Sequence, residues 1–176
     1  MGTWNSRGLR GSFLEDLINL TNEKYRSQKL ALIQKVPTPI KPIQIDQETR
    51  HITLAYFEQK STVDYIGVVQ GVPVCFDAKE CAEERFPLAN IHEHQVAFME
   101  QFEQQEGVAF LLIYFKSRDC YMYLPFARLM EFWQRMQEGG PKHFKFSELD
   151  PQYEISTYSG TFVHYLEQIQ MDLQRR

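Results

Sequence analysis

No stretch of this 176-residue chain stays apolar for the roughly 18 residues that a membrane helix needs. The opening segment, MGTWNSRGLRGSF, has no apolar core of the signal-peptide kind, so a secreted protein is not expected; Met1-Gly2 with Ser6 makes only a weak myristoylation match. Cysteine is scarce. Cys75, Cys81 and Cys120 are odd in number and lack the spacing of metal knuckles, which argues against a disulfide framework or a zinc ribbon and for reduced thiols in a cytoplasmic protein. Internal repeats and low-complexity tracts are absent as well. Nor is there a large excess of one charge, since the net balance is only −4.

What remains is the composition of an ordinary globular chain, with 43% apolar, 14% aromatic and 24% charged residues, long enough for one domain with a core of its own. The charge is unevenly spread. Residues 1–42 carry a balance of +4 and the remainder −8, with seven glutamates against one arginine between Glu80 and Glu106. A basic face of this kind is compatible with nucleic acid but is also common on solvated helices, so charge alone decides nothing.

Apolar Leu14, Leu17, Ile18 and Tyr25 recur at helical spacing, predicting a helix from about Leu9 to Arg26, and Leu30–Val36 reads as a strand. The prolines of PTPIKP break regular structure. Beyond them, two alternating runs flank a polar turn at Asp46–Arg50. This predicts a projecting hairpin, a stalk-like insertion over residues 37–60 of a single domain spanning 1–176. A second hairpin turning at Gln70-Gly71 follows. Residues 90–106 read as a helix with Ile91, Gln95, Phe98, Met99 and Phe102 on one side. VAFLLIYF reads as a buried central strand paired with CYMYL, Pro125 opens a helix to about Gln137, and Thr161–Leu173 forms a last helix. The fold class expected is α/β, one mixed central sheet flanked by helices.

The second hairpin carries the chemistry. A two-residue turn at Gln70-Gly71 pairs positions whose numbers sum to 141, which sets Asp64 opposite Asp77 and Thr62 opposite Lys79, all on one face beside Ile66, Val68 and Cys75. Two carboxylates so close repel each other in a poorly hydrated place, and a divalent cation relieves that repulsion. Oxygen ligands in partial number, completed by water, suit Mg²⁺, and a lysine beside them can stabilise charge on an attacked phosphate. Pro73 cannot donate a ladder bond, so this reading expects a bulge or an edge strand there. A second acid-x-Lys triplet, Glu58-Gln59-Lys60, lacks an upstream aspartate across a hairpin. The HEH at His92 and His94 would place the two rings on diverging directions of a helix, which does not favour zinc.

Six blocks in order, RGLRGSFLEDLINLTN, IQKVPTPIKP, AYFEQKSTVDYIGVVQG, FDAKE, FPLANIHEHQ and LPFARLMEFW, resemble the RecU family of Holliday-junction resolvases, nucleases of the restriction-endonuclease-like group. The resemblance implies a homodimer that nicks four-way DNA junctions symmetrically with Mg²⁺ or Mn²⁺, leaving 5′-phosphate and 3′-hydroxyl ends. It also implies modulation of the RecA recombinase. Asp64 and Asp77 match the metal-binding acids; the second is often glutamate in this family and is one methylene shorter here. Lys79 matches the signature lysine, Thr62 and Gln95 match further positions around the metal, and Glu15 matches an acid near the site. Residues 37–60 match a stalk that enters the opened junction. Lys35, Lys41, Arg50, His51 and Lys60 there, with Arg7 and Arg10, are the phosphate-contact candidates. A nuclease of the same fold acting on linear duplex, or a non-catalytic junction-binding protein, would share parts of this pattern.

Overall fold

The computed structural model describes residues 13–57, 62–156 and 163–176. Helix α1 (Phe13–Ser27) leads into strand β1 (Ala31–Lys35). The hairpin β2 (Ile40–Ile45) and β3 (Ile52–Phe57) forms a two-stranded sheet of its own, and β4 (Tyr65–Val69), β5 (Val72–Cys81) and β6 (Arg85–Pro87) follow. After α2 (Glu93–Glu103) come β7 (Val108–Phe115), β8 (Cys120–Pro125), α3 (Phe126–Gln137), β9 (His143–Lys145), β10 (Glu154–Ile155) and α4 (Leu166–Gln174). The main sheet has the order β1-β4-β5-β7-β8-β10, and only β5 and β7 run parallel, so the expected mixed α/β core is present.

Sequence and structure agree on the second hairpin. Gln70 and Gly71 have φ of 46° and 93°, the two left-handed residues of a type I′ turn, and every pair from Val69↔Val72 to Tyr65↔Phe76 sums to 141. The expectation about Pro73 fails, since β5 is neither bulged against β4 nor at an edge. Antiparallel pairs alternate, and Val68↔Pro73, next to the turn-closing pair, is of the non-hydrogen-bonded kind. The missing N–H therefore points away from β4, and pairing with β7 starts only at Val74. Gly67 lets β1 approach closely, because a Cβ there would lie 2.1 Å from the Leu32 carbonyl oxygen.

β7 is buried because all its neighbours are sheet or helix; its residues are the apolar run read from the sequence. On the face toward α1, Tyr65, Phe76, Phe110, Tyr123 and Tyr153 stack in a row across the sheet, with centroids 4.7, 4.7, 4.4 and 5.5 Å apart. Such pairs each add about 0.5–1.5 kcal/mol beyond area burial. Phe110 is central and fully buried. Truncating it to alanine is expected to cost about 3–5 kcal/mol, a fall of roughly 10 °C in calorimetric Tm; a change under 3 °C would show that the row is not the keystone of this face.

Several boundaries move. α2 starts at Glu93, after a single 3-10 turn at Leu88–Asn90, and α4 starts only at Leu166. The three-residue pair β6–β9 had no sequence signal. The surroundings of the acid pair are also wetter than expected. Helices α2 and α3 pack over β5, β7 and β8, but Leu32, Ile66 and Val68 on the β1–β4 side are 64, 36 and 44% exposed.

The projecting hairpin has the expected polar tip. Asp46 Oδ1 accepts the backbone N–H groups of Glu48 and Thr49, and Arg50 takes the left-handed conformation at φ 58°. Both strands are exposed throughout except at Ala55, and the ladder is irregular around Pro42 and Gln44.

Candidate functional site

β4 begins at Tyr65, so Thr62 and Asp64 lie just outside the ladder and the predicted backbone opposition with Lys79 and Asp77 is not completed. Side chains complete it instead. The Asp64 N–H donates to Asp77 Oδ1 at 2.8 Å, and Asp64 Oδ2 accepts the Ala78 N–H at 3.0 Å. The Asp64 carbonyl also accepts the Val36 N–H at 2.8 Å, tying the acid to the end of β1. Each carboxylate is thus fixed by the other's strand.

Asp77 is fully buried, Asp64 half-buried. Asp77 Oδ2 is enclosed and receives no hydrogen bond. The charge beside it is Lys79 Nζ, 2.9 Å away but off the hydrogen-bonding direction. An enclosed carboxylate oxygen without a directed donor is costly, and a cation is what it accepts. Among the described residues no three His, Cys, Asp or Glu side chains gather as a metal cluster. Two carboxylates supply oxygen ligands in partial number, which suits a cation that keeps much of its water, as Mg²⁺ does.

Burial first, and the neighbouring Asp77 second, push the Asp64 carboxyl above its ordinary range, against the pull of the Ala78 N–H, Lys79 and Lys35. A raised folded-state value means that ionised Asp64 weakens the metal-free fold at neutral pH, and that protonation as pH falls toward the ordinary carboxylate range relieves it. Asp64→Asn, which keeps an acceptor for Ala78, is expected to raise the Tm of metal-free protein at pH 7 and to lose that advantage near pH 4. An unchanged or lowered Tm at pH 7 would remove the repulsion from the account.

Glu15, in the first turn of α1, pairs with Lys35 at 2.5 Å, and Lys35 in turn acts on Asp64. Glu15 is thus connected to the acid pair through a lysine rather than gathered into it. Leu14 N donates to Glu80 Oε1 at 2.9 Å, so the residue after Lys79 pins the start of α1, a contact no local pattern announces. Gln95 is buried, and its Oε1 accepts the His92 N–H at 3.0 Å; closing the first turn of α2 accounts for a glutamine on an apolar stripe. His92 precedes the helix and stacks on His94 with centroids 5.3 Å apart, so the expected divergence of these rings is wrong. Thr62 is exposed. Lys41 lies on β2 and Arg50 at the turn of the β2–β3 hairpin. Arg7, Arg10 and Lys60 fall outside the described residues.

With this geometry in view, the sequence can be placed. Residues 9–171 match the model of the Recombination protein U family, and the chain belongs to that family. It is similar to the Holliday junction resolvase RecU of Oceanobacillus iheyensis, at 38% identity over 164 residues covering 91% of this chain and 81% of the relative. It is also similar to the proteins of that name from Listeria welshimeri (40% identity over 146 residues, 81% and 73% of the two chains) and Leuconostoc mesenteroides (42% over 147 residues, 81% and 71%). Among solved structures it overlaps Archaeoglobus fulgidus Hjc, a Holliday junction resolvase, only loosely, with a TM-score of 0.37 and 9% identity over 64% of this chain and 74% of that one.

Proposed function

We propose that this protein is a Holliday-junction resolvase, a metal-dependent endonuclease that nicks opposed strands of four-way DNA junctions. The observation that carries the reading is the enclosed, hydrogen-bond-free Oδ2 of Asp77 beside Asp64, in a chain of the Recombination protein U family. Asp64 and Asp77 would hold Mg²⁺, or Mn²⁺ in its place. Bound there, the ion supplies charge stabilisation at the phosphate and a more acidic water.

The reaction is hydrolysis of a phosphodiester. Water oxygen adds to phosphorus, the bond from phosphorus to the 3′-oxygen breaks, and that oxygen takes a proton, leaving a 5′-phosphate and a 3′-hydroxyl. Lys79, held by Asp77, places a positive charge where negative charge grows on the phosphate. Lys35, held by Glu15, offers a second cation at the same mouth. Thr62, just outside the ladder two positions before Asp64, and buried Gln95, whose Oε1 accepts the His92 N–H, would be the further residues around the metal.

Selection of a junction is selection of shape. The exposed β2–β3 hairpin, with Phe57 74% exposed, supports a role as a wedge in the open centre of the junction, and Arg50 and Lys41 would meet phosphates there. Two opposed cuts call for two sites at a fixed separation, which a homodimer supplies. Residence in the cytoplasm follows from the substrate. The test is incubation with a synthetic four-way junction and a linear duplex of the same sequence. Nicks on the junction that appear with Mg²⁺, stop with chelator and are resealed by DNA ligase carry the proposal. Unligatable ends, or equal cutting of the duplex, sink it.

A further inference from the structure

We infer that the edge of the sheet made by the C-terminal half of α1 and by β1 is a track for a DNA phosphate backbone, with Arg26 and Lys29 as its contacts beyond Lys35. The inference rests on the nuclease reading above. A groove of about 340 Å³ is lined by Asn19, Asn22, Glu23, Arg26, Ile33 and Lys35. It thus runs from the lysine that acts on Asp64 to an exposed arginine.

The two amides are already oriented. Tyr65 Oη donates to Asn19 Oδ1 at 3.0 Å, and Tyr165 Oη donates to Asn22 Oδ1. With each amide oxygen taken, the Nδ2 donor of each is the group left for the groove they line. The ammonium of Lys35 is paired with Glu15, which leaves two amide donors and the Arg26 guanidinium beside Glu23 as the groups an anion would meet. On the far side of Arg26 a second groove is lined by Arg26, Lys29, Leu32, Val68 and Gln70, so the track continues past the helix end.

Arg118, Arg128, Arg135, Arg175 and Arg176 are all matched to carboxylates. Arg26 and Lys29 are exposed and make no ion pair among the described residues. They share that lack with exposed Arg50, Arg85 and Lys142, so it is the grooves that set them apart. The length fits as well. From Ala31 to Lys35 the strand spans roughly 13 Å at about 3.3 Å per residue. That is the axial length of about four base pairs at about 3.4 Å each, so the track would hold one arm of the junction beside the cut.

Lys29 supplies a way to separate binding from folding. It caps α1 in the left-handed conformation at φ 60°, with the Leu30 N–H returned to the Tyr25 carbonyl, a position glycine fills at lower cost. Glu106 holds the equivalent position after α2, so the conformation itself says nothing of a ligand. Lys29→Gly should therefore raise Tm and still weaken DNA binding, two effects of opposite sign.

The experiment is fluorescence anisotropy of a labelled four-way junction and a matched duplex in chelator across a salt series. Wild type is compared with Lys29→Gly and with the double variant Arg26→Gln/Lys29→Gln. Each lost phosphate contact should lower the slope of log K against log salt by about 0.9, hence by about 1.8 in the double variant, and weaken binding about eightfold per contact at 0.1 M salt. A wild-type slope in the double variant would overturn the track and leave the nuclease reading standing. Failure of the wild type to bind either DNA would overturn both.

Discussion

Asp77→Asn is expected to abolish junction cleavage, by at least about a thousandfold in single-turnover rate, while junction binding in chelator is retained. The size follows from losing several kcal/mol of charge stabilisation at the attacked phosphate. The isostere keeps Oδ1 as an acceptor for the Asp64 N–H, so the hairpin end stays closed and the loss reports chemistry rather than unfolding. Neutralising a buried acid also removes repulsion toward phosphate, so affinity should not fall. Lys79 loses its ion partner but is 18% exposed and can turn toward solvent. Cleavage within tenfold of wild type would show that Asp77 holds no cation needed for the reaction.

Replacing residues 40–57 by a short Gly-Ser linker is expected to remove the preference for junctions while leaving the core intact. Among the described residues the hairpin pairs only with itself, and its strands are almost wholly exposed, so Tm should move by no more than a few degrees. If the hairpin wedges the open centre, its loss forfeits contacts worth about 2–3 kcal/mol, roughly a hundredfold in junction affinity, toward the level of linear duplex. Weak metal-dependent nicking of duplex should persist, because Asp64, Asp77 and Lys79 lie outside the deleted segment. Unchanged selectivity between junction and duplex would assign shape recognition to the sheet and helices instead.

The sequence reading of the hairpin 65–81 succeeded because one local feature, the Gln70-Gly71 turn, dictates every pair up to the acids. The apolar run of β7 was equally legible, since a strand buried on both faces has no polar side to disguise it. What escaped depends on partners far along the chain. The carboxylate-to-backbone exchange at Asp64 and Asp77 appears only where the ladder stops. The Glu80 cap on α1 joins residues 66 apart, and Tyr165 orients Asn22 across 143 residues. Asn19, Asn22 and Arg26 do fall on one helical stripe at spacings of three and four. Without the tyrosines, though, they read as an ordinary solvated face. The expectation for His92 and His94 failed for a local reason: the helix starts one residue after His92, so helical geometry never applied to the pair.

The central claim is that one bound form of this protein cuts two opposed strands of a four-way junction. A supercoiled plasmid that extrudes a cruciform, incubated with protein and Mg²⁺ and sampled over time, tests it most directly. Linear plasmid should appear early and in step with loss of supercoiled substrate, as paired cuts within one binding event require. A product that remains nicked circle throughout would contradict paired cutting. Stable binding with no cutting in either Mg²⁺ or Mn²⁺ would contradict the nuclease itself.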